Sequence, residues 1–313
     1  MITATVKGTE RLKGKDCLTL ADFSSGEILS LLDLARQLKE EKFSPLLMGK
    51  SLGMIFEKPS TRTRVSFEVG MTQLGGHALY LNGHDLQLGR GETISDTAKV
   101  LSRYVDAIMI RTFGQEKVEE LAEAADIPVI NGLTNEFHPC QALADLLTIQ
   151  EKLGDFAGKT LVYVGDGNNM THSLMIGAAK VGMNCIVAAP AGCEPDLKIT
   201  EQAQKFGEQT GAVVKVENDP FAAVEEADIV YADVWTSMGD EENEERLKLL
   251  SEYQINLPLL AHARKAPLFM HCLPAHRGEE VTAEVIDGPN SVVFDQAENR
   301  LHAQKALLAA LLG

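Results

Sequence analysis

The chain has few aromatic residues and few basic ones relative to its acids. Phe, Trp and Tyr make up 5% of its 313 residues, with a single tryptophan. Its 29 Lys and Arg residues are outnumbered by 45 Asp and Glu, which gives a net charge of −16. This balance argues against a surface for nucleic acid or an anionic membrane, because proteins hold both by neutralising phosphates. No nucleic acid and no membrane is therefore expected as a partner.

Cysteine is also scarce, and its pattern is informative. The five cysteines are odd in number and contain no Cys-x-x-Cys spacing, which argues against a disulfide framework or a zinc ribbon. The first 25 residues lack the apolar core of a signal peptide, and no apolar run has the length of a membrane span. We therefore expect a cytoplasmic protein.

What the chain does have is a regular alternation of short apolar runs with helical patterns. This alternation predicts an α/β fold with parallel sheets and helices on both faces. Ten strands over this length indicate two sheets and two similar domains. The predicted strands are Ser51–Phe56, Ala78–Leu81, Ala107–Ile110, Val129–Asn131, Thr160–Val164, Asn184–Ala188, Val213–Val216, Ile229–Ala232, Leu268–His271 and Val292–Asp295.

The domain boundary is expected after a helix, near Gln150–Gly158. A weak repeat supports two domains: Gly-Lys-x-Leu begins the strands at Gly49 and at Gly158. The same repeat is also compatible with two ordinary strand–turn–helix units that match by chance. The amphipathic last helix, Ala297–Leu312, is expected to return to the first domain. The predicted domains are residues 1–150 with 297–313, and residues 151–296.

The segment Ser60-Thr61-Arg62-Thr63-Arg64 carries the strongest functional signal. It lies between a predicted strand and a predicted helix over Val65–Leu74, with Ser60 at the helix N-cap position. The start of a helix attracts anions, because its N–H groups are unpaired and its dipole end is positive. Guanidinium groups add bidentate contacts to phosphate. The pattern favours a phosphate site, although a capped surface helix with solvated arginines is the plainer interpretation.

This segment, preceded by Phe-x-Lys-Pro, resembles the carbamoyl phosphate signature of the aspartate/ornithine carbamoyltransferase family. His138-Pro139-x-Gln141, at the start of a predicted helix, resembles the same family's carbamoyl-group site. The resemblance implies a carbamoyl phosphate-binding first domain. It assigns carbamoyl phosphate binding to Ser60, Thr61, Arg62, Thr63, Gln87, Arg111, His138, Pro139, Cys140, Gln141, Cys272, Leu273 and Arg300.

Gly165-x-Gly167 suggests a different class of protein, a nicotinamide-dependent dehydrogenase. The match is weak, because Met170 replaces the third glycine and no acidic residue ends the next strand. The run from Asp166 to Ser173 instead resembles the second-substrate turn of the carbamoyltransferase family. The resemblance implies an ornithine-binding second domain. It assigns ornithine binding to Asn169, Asp233, Ser237 and Met238.

His271-Cys272-Leu273-Pro274 ends another apolar run and allows three interpretations. A metal site with His271, Cys272 and His276 lacks a suitably spaced fourth ligand, so no metal is expected. The second interpretation is covalent catalysis by Cys272. The family resemblance instead places Cys272 beside the reacting centre and assigns backbone carbonyl contacts to the Cys272–Leu273 turn. It gives the catalytic residues as Arg111, His138, Cys272 and Asp233.

The resemblance implies transfer of a carbamoyl group from carbamoyl phosphate to the δ-amine of L-ornithine, without a cofactor. Alternatives are transfer to another amine, such as putrescine or an acylated ornithine, and a non-catalytic phosphate-binding subunit. Gln87 lies in a segment that resembles the family's loop between subunits. The expected assembly is a homotrimer with shared active sites.

Overall fold

The chain forms two compact units in a computed structural model that describes residues 8–87, 91–236 and 243–313. One unit comprises Met1–Leu147 with Glu298–Gly313, and the other comprises Thr148–Ala297. The divisions fall within two helices, α5 (Pro139–Leu153) and α12 (Val293–Leu312). Among the described residues, no helix has both the length and the apolar character needed to cross a membrane.

The first unit is built on a parallel sheet of four strands in the order β2-β1-β3-β4. The inner strands are buried throughout, apart from the first residue of β1, as expected of a parallel sheet covered by helices. The strands are β1 Ser51–Phe56, β2 His77–Asn82, β3 Ala107–Arg111 and β4 Val129–Leu133. The helices before α5 are α1 Ser25–Glu40, α2 Thr61–Gln73, α3 Ile94–Leu101 and α4 Gln115–Ala124.

The end of α12 belongs to the first unit and packs on its helices. Gly70 of α2 faces Lys305, whose Cγ would lie 3.4 Å from a Cβ built on that glycine. Lys305 is fully buried, and its Nζ donates to the Leu38 carbonyl of α1 at 2.8 Å. The predicted return of the last helix to the first domain is confirmed.

The second unit contains a parallel sheet of five strands in the order β7-β6-β5-β8-β9. Its strands are β5 Thr160–Val164, β6 Asn184–Ala188, β7 Val214–Glu217, β8 Ile229–Ala232 and β9 Leu268–His271. Its helices before α12 are α6 Asn169–Val181, α7 Leu197–Thr210, α8 Pro220–Val224, α9 Glu244–Leu250, α10 Leu257–Leu260 and α11 Ala283–Ile286. The predicted fold class, two α/β domains with parallel sheets, is confirmed.

The tenth predicted strand, Val292–Asp295, is wrong. Val292 makes a backbone hydrogen bond to Phe269 of β9, but α12 begins at the next residue. The Gln296 amide already donates to the Val292 carbonyl in helical fashion. The β-branched pair Val292-Val293 followed by an aromatic residue has the composition of a strand. Asp295, an acidic residue in the first turn of the helix, is the sequence feature that indicates a helix start instead.

Both sheets present their predicted site residues at the carboxyl ends of their strands. In the first unit, α2 follows β1, Arg111 ends β3 and His138 follows β4. In the second unit, Asp233 follows β8 and Cys272 follows β9. Open parallel sheets bind ligands at this edge, where the loops and helix N-termini converge.

Candidate active site

The start of α2 has the predicted capped geometry. Ser60 takes an extended backbone conformation, and its hydroxyl accepts a hydrogen bond from the Thr63 amide at 3.2 Å. The first turn contains no acidic residue, so the positive end of the helix is not neutralised from within. Thr63 is buried, whereas Thr61 is exposed. The turn can therefore receive an anion.

The two arginines of this turn have different surroundings. Arg62 is half-buried and acts electrostatically on His138. Arg64 is exposed; its Nε pairs with Glu68 at 3.0 Å, and its guanidinium lies 3.7 Å from the centre of the Tyr80 ring. Of the two candidates that the sequence offers for phosphate, the geometry favours Arg62.

His138 is surrounded by cationic side chains. It is buried, and that burial, with the charges of Arg300, Arg111 and Arg62, holds its pKa well below the ordinary value. An additional proton on this ring would be repelled by three guanidinium groups. The imidazole is therefore neutral at physiological pH and can donate one N–H to a ligand oxygen.

Arg300 connects α12 to the starts of α2 and α5 in the first unit. It is 2% exposed, and its guanidinium donates to Gln141 Oε1 at 2.6 Å and to Thr63 Oγ1 at 3.1 Å. The Gln141 amide nitrogen donates in turn to Asp145 Oδ1 at 2.8 Å. These bonds fix the Gln141 amide, whose oxygen has a second lone pair for a ligand N–H.

Cys140 does not direct its side chain toward a ligand position. The thiol donates to the Asn131 carbonyl of β4 at 3.4 Å, and burial raises the pKa of Cys140 to about 12. Any ligand contact by this residue must come from its backbone, at the start of α5. The neighbouring Pro139 is the first helical residue and has no N–H, which suits that position.

In the second unit, Asp233 is the centre of a network of donors. Its Oδ1 accepts from the Cys272 thiol at 2.9 Å and from the Val234 amide at 2.8 Å. Its Oδ2 accepts from the Asn168 side chain at 2.8 Å. Asn168 also caps α6 through the amides of Met170 and Thr171, so one side chain orients both the helix start and the carboxylate.

Asn168 was not among the residues selected from the sequence. Its position as an N-cap directly before the predicted ligand Asn169 is the signal that could have identified it. Asn169 itself is half-buried at the first position of α6. Ser237 and Met238, the other predicted ornithine ligands, lie outside the described residues.

The turn after β5 is not arranged for a dinucleotide. The Gly167 amide donates to the Cys193 carbonyl at 2.8 Å, and the Gly165 amide donates to Ala188 at 2.9 Å. A Cβ on Gly167 would lie 2.2 Å from the Pro195 nitrogen, so neighbouring backbone covers the place where a pyrophosphate approaches such a glycine. The structure does not favour the dehydrogenase alternative.

The turn after β9 is held by the buried side chain of His271. Its Nδ1 accepts from the Leu273 amide at 2.8 Å, and its Nε2 lies 3.1 Å from Glu280 Oε1. Leu273 has a φ of 57°, in the left-handed region that non-glycine residues seldom occupy. The sequence offers His271 only as a candidate metal ligand, and it gives no signal for Glu280.

Two groups in the described part of the chain have ligand atoms within 4.8 Å of one another, as a metal ion would require. One combines Asp233, His271 and Cys272, but both ring nitrogens of His271 and both carboxylate oxygens of Asp233 already have protein partners. The other combines His276, Glu279 and Glu280, of which the first two are exposed. His271, Cys272 and His276, the metal-ligand set considered and not favoured from the sequence, do not occur together in either group.

Gln87 is exposed and follows the turn after the edge strand β2. It lies beside a small recess that is also lined by Thr97 and Leu101 of α3. In its own unit it is thus part of an outer surface.

Comparison with known proteins identifies two family domains along the chain. The profile described as "Aspartate/ornithine carbamoyltransferase, carbamoyl-P binding domain" matches residues 15–151. The profile described as "Aspartate/ornithine carbamoyltransferase, Asp/Orn binding domain" matches residues 157–311.

Individual relatives are similar over nearly the whole chain. An ornithine carbamoyltransferase from Anoxybacillus flavithermus is 61% identical, covering 99% of each chain. One from Bacillus subtilis is 61% identical, covering 96% of this chain and 95% of the relative. The structure of ornithine carbamoyltransferase from Pyrococcus furiosus is similar with a TM-score of 0.94 at 57% identity, covering 96% of this chain and 98% of that one. The chain therefore belongs to the aspartate/ornithine carbamoyltransferase family.

Proposed function

We propose that this protein transfers the carbamoyl group of carbamoyl phosphate to the δ-amino group of L-ornithine, giving L-citrulline and phosphate. The observation that carries the proposal is the convergence of Arg62, Arg111 and Arg300 on a neutral His138. Arg62, Arg111 and His138 lie within residues 15–151, which match a carbamoyl phosphate-binding domain, and Arg300 of α12 donates to Thr63 in the same stretch. The relatives at about 60% identity are named ornithine carbamoyltransferases.

The first unit would bind the phosphate and polarise the carbamoyl carbonyl. Its three guanidinium groups and the start of α2 match a dianionic phosphate in charge and geometry. Neutral His138 donates to the carbonyl oxygen and, with Arg111, stabilises the negative charge that develops there during attack. The remaining proposed contacts come from Ser60, Thr61, Thr63, Pro139, Cys140 and Gln141.

The second unit would hold the amino acid. A carboxylate that already orients a thiol and an amide, Asp233, is a suitable partner for an ammonium group. Asn169, Ser237 and Met238 are the other proposed ornithine contacts. Cys272 and Leu273 are proposed to contact the carbamoyl group.

The reaction needs a neutral amine and a good leaving group. The δ-nitrogen attacks the carbonyl carbon, and the tetrahedral intermediate breaks its C–O bond to release phosphate, while the amine loses a proton. A free alkyl ammonium titrates near ~10.4, so about one molecule in a thousand is neutral at pH 7.4. The rate of the chemical step should therefore rise with pH through the neutral range.

An acceptor panel tests this proposal against its nearest alternative. The purified chain is incubated with carbamoyl phosphate and, separately, L-ornithine, putrescine and N-acetyl-L-ornithine, and phosphate release is measured. The proposal expects release with L-ornithine well above that with the other two amines. Preference for putrescine or for the acylated amino acid would assign the protein to another carbamoyltransferase. Failure with all acceptors would favour a non-catalytic phosphate-binding role.

We further propose that the protein acts as a homotrimer in a reducing compartment, the cytoplasm, where its five thiols persist. Apolar side chains are exposed on β2 and on the adjacent α2: Leu79, Tyr80, Val65 and Val69. A second copy of this chain is the partner we assign to this surface, with Gln87 at its margin. In this arrangement Gln87 would complete the phosphate site of a neighbouring subunit.

Mixing two inactive variants tests whether Gln87 acts in a neighbouring subunit. Arg62→Ala and Gln87→Ala are prepared separately, then dissociated and reassembled together. A ring of mixed composition can contain a subunit with intact Arg62 next to one with intact Gln87, so each mixed trimer should regain one native site of three. Recovery of activity supports the shared site. Mixed trimers with no gain over the separate variants would refute the role of Gln87.

A further inference from the structure

The turn Cys272-Leu273 is held in place from both sides by a buried network. The His271 backbone amide donates to Gln296 Oε1 at 2.9 Å, and the Cys272 thiol donates to Asp233. The Leu273 amide donates to the His271 ring, and the Leu273 side chain packs on the core of the second unit. These contacts maintain a backbone conformation at Leu273 that would otherwise be unfavourable.

The hydrogen bonds of His271 determine which tautomer its neutral ring adopts. Nδ1 must carry a lone pair, because it accepts from the Leu273 amide. In a neutral ring the proton is then on Nε2, which faces Glu280 Oε1 at 3.1 Å. Glu280 is 1% exposed, and its Oε1 also accepts from the His276 amide at 2.6 Å. Glu280 therefore fixes the tautomer of His271, and the tautomer makes Nδ1 an acceptor.

The bond to the Leu273 amide sets the direction of a carbonyl group. The peptide between Cys272 and Leu273 is planar and trans, so its N–H and its C=O point in opposite directions. Holding the Leu273 N–H against the His271 ring directs the Cys272 carbonyl away from that ring. Our proposed function assigns this carbonyl, with that of Leu273, to the carbamoyl NH₂.

We propose that His271, held in one tautomer by Glu280, is a positioning residue that aims the Cys272 carbonyl and so selects an acyl phosphate that carries an NH₂ group. The inference rests on the proposed function. It adds a source of selectivity for carbamoyl phosphate over acyl phosphates of the same shape, such as acetyl phosphate, whose methyl group cannot donate to a carbonyl.

Two matched pairs of variants test the role of each residue. His271→Asn keeps an acceptor close to the Nδ1 position. His271→Leu introduces a side chain of nearly the same shape as asparagine that has no acceptor. Glu280→Gln keeps an oxygen that can face Nε2–H, whereas Glu280→Met does not. Without that oxygen the ring can move its proton to Nδ1, where it opposes the Leu273 N–H.

The readout is the ratio of the dissociation constants for acetyl phosphate and carbamoyl phosphate, with inorganic phosphate as an internal control. The unaltered protein should prefer carbamoyl phosphate. Since one hydrogen bond contributes about tenfold in affinity, the ratio should fall about tenfold in His271→Leu and Glu280→Met. It should change less than threefold in His271→Asn and Glu280→Gln, and phosphate binding should change less than twofold throughout. Loss of kcat in the apolar variants should accompany the loss of preference.

Thermal unfolding of each variant separates positioning from general damage. A variant that merely loosens the fold would weaken all three ligands together. Wild-type preference in a folded His271→Leu, or equal losses in His271→Leu and His271→Asn, would overturn the inference. If His271→Leu does not fold, the Glu280 pair decides by the same ratio. Failure of the unaltered chain to form citrulline would instead refute the proposed function.

Discussion

The clearest prediction separates two arginines that are two positions apart on the same helical turn. The charge of Arg62 acts on buried His138, whereas Arg64 pairs with Glu68 and stacks on Tyr80. Arg62→Met and Arg64→Met remove the same charge from the same turn and keep a long unbranched side chain. They should have different consequences for phosphate binding.

The size of each effect follows from its contacts. A hydrogen bond to a charged group contributes about 1.5–3 kcal/mol, so Arg62→Met should raise the dissociation constant for carbamoyl phosphate about 10- to 150-fold. Arg64→Met loses an exposed ion pair, about 0.3–0.5 kcal/mol, and a cation–π contact, about 0.5–1 kcal/mol. It should lower the free energy of unfolding by about 1 kcal/mol and leave carbamoyl phosphate binding within threefold.

Isothermal titration with carbamoyl phosphate, together with urea unfolding, measures both quantities for each variant. Oligomeric state is recorded by light scattering, because Arg64 lies near the surface we assign to a second subunit. Equal losses of carbamoyl phosphate affinity in two variants of the same oligomeric state would refute the division of roles between the two arginines.

Three further predictions concern single side chains. The pKa of His138 is lowered in the folded state, so its contribution to stability should be lost as the pH falls from about 6.5 through that pKa, by up to about 1.4 kcal/mol per pH unit. In urea unfolding measured against pH, His138→Asn should remove this pH-dependent part of the free energy of unfolding. An unchanged dependence of that free energy on pH would contradict the prediction. Lys305→Met should lower the free energy of unfolding by about 1–3 kcal/mol, because the backbone carbonyl of Leu38 at the end of α1 loses a buried donor, and KM should stay within twofold. A changed KM with unaltered stability would refute this structural role. Cys272→Ser should retain turnover within about tenfold, since a hydroxyl can also donate to Asp233; trapping of a carbamoyl-Cys272 adduct would overturn the non-covalent role.

The sequence predicts the fold well where a local pattern has one physical solution. Nine of the ten predicted strands lie on observed ones, because a short apolar run between turns has few alternatives in an α/β chain. The Ser60 cap follows from side-chain chemistry alone. The tenth strand fails because Val292 and Val293 have high strand propensity, yet Val293 begins a helix that tertiary packing extends to Leu312.

The site is less fully predictable, because side-chain direction depends on packing between distant segments. By residue type and helix position alone Arg62 and Arg64 look equivalent, and their contacts separate them: Arg64 pairs with Glu68 and lies over the Tyr80 ring, whereas the charge of Arg62 acts on His138. Cys140 falls within a family motif, but its thiol faces the Asn131 carbonyl. The bond between His271 and Glu280 joins residues nine apart through an irregular loop, a contact that no helical or strand periodicity indicates.

The most direct test of the central claim follows the carbamoyl carbon. Carbamoyl phosphate labelled with ¹³C is mixed with the purified protein and L-ornithine, and the reaction is followed by ¹³C and ³¹P NMR. We expect the label to appear in the ureido carbon of citrulline, with one phosphate released for each citrulline formed. Label that remains in carbamoyl phosphate, or that is lost as carbonate at the rate seen without protein, would contradict it.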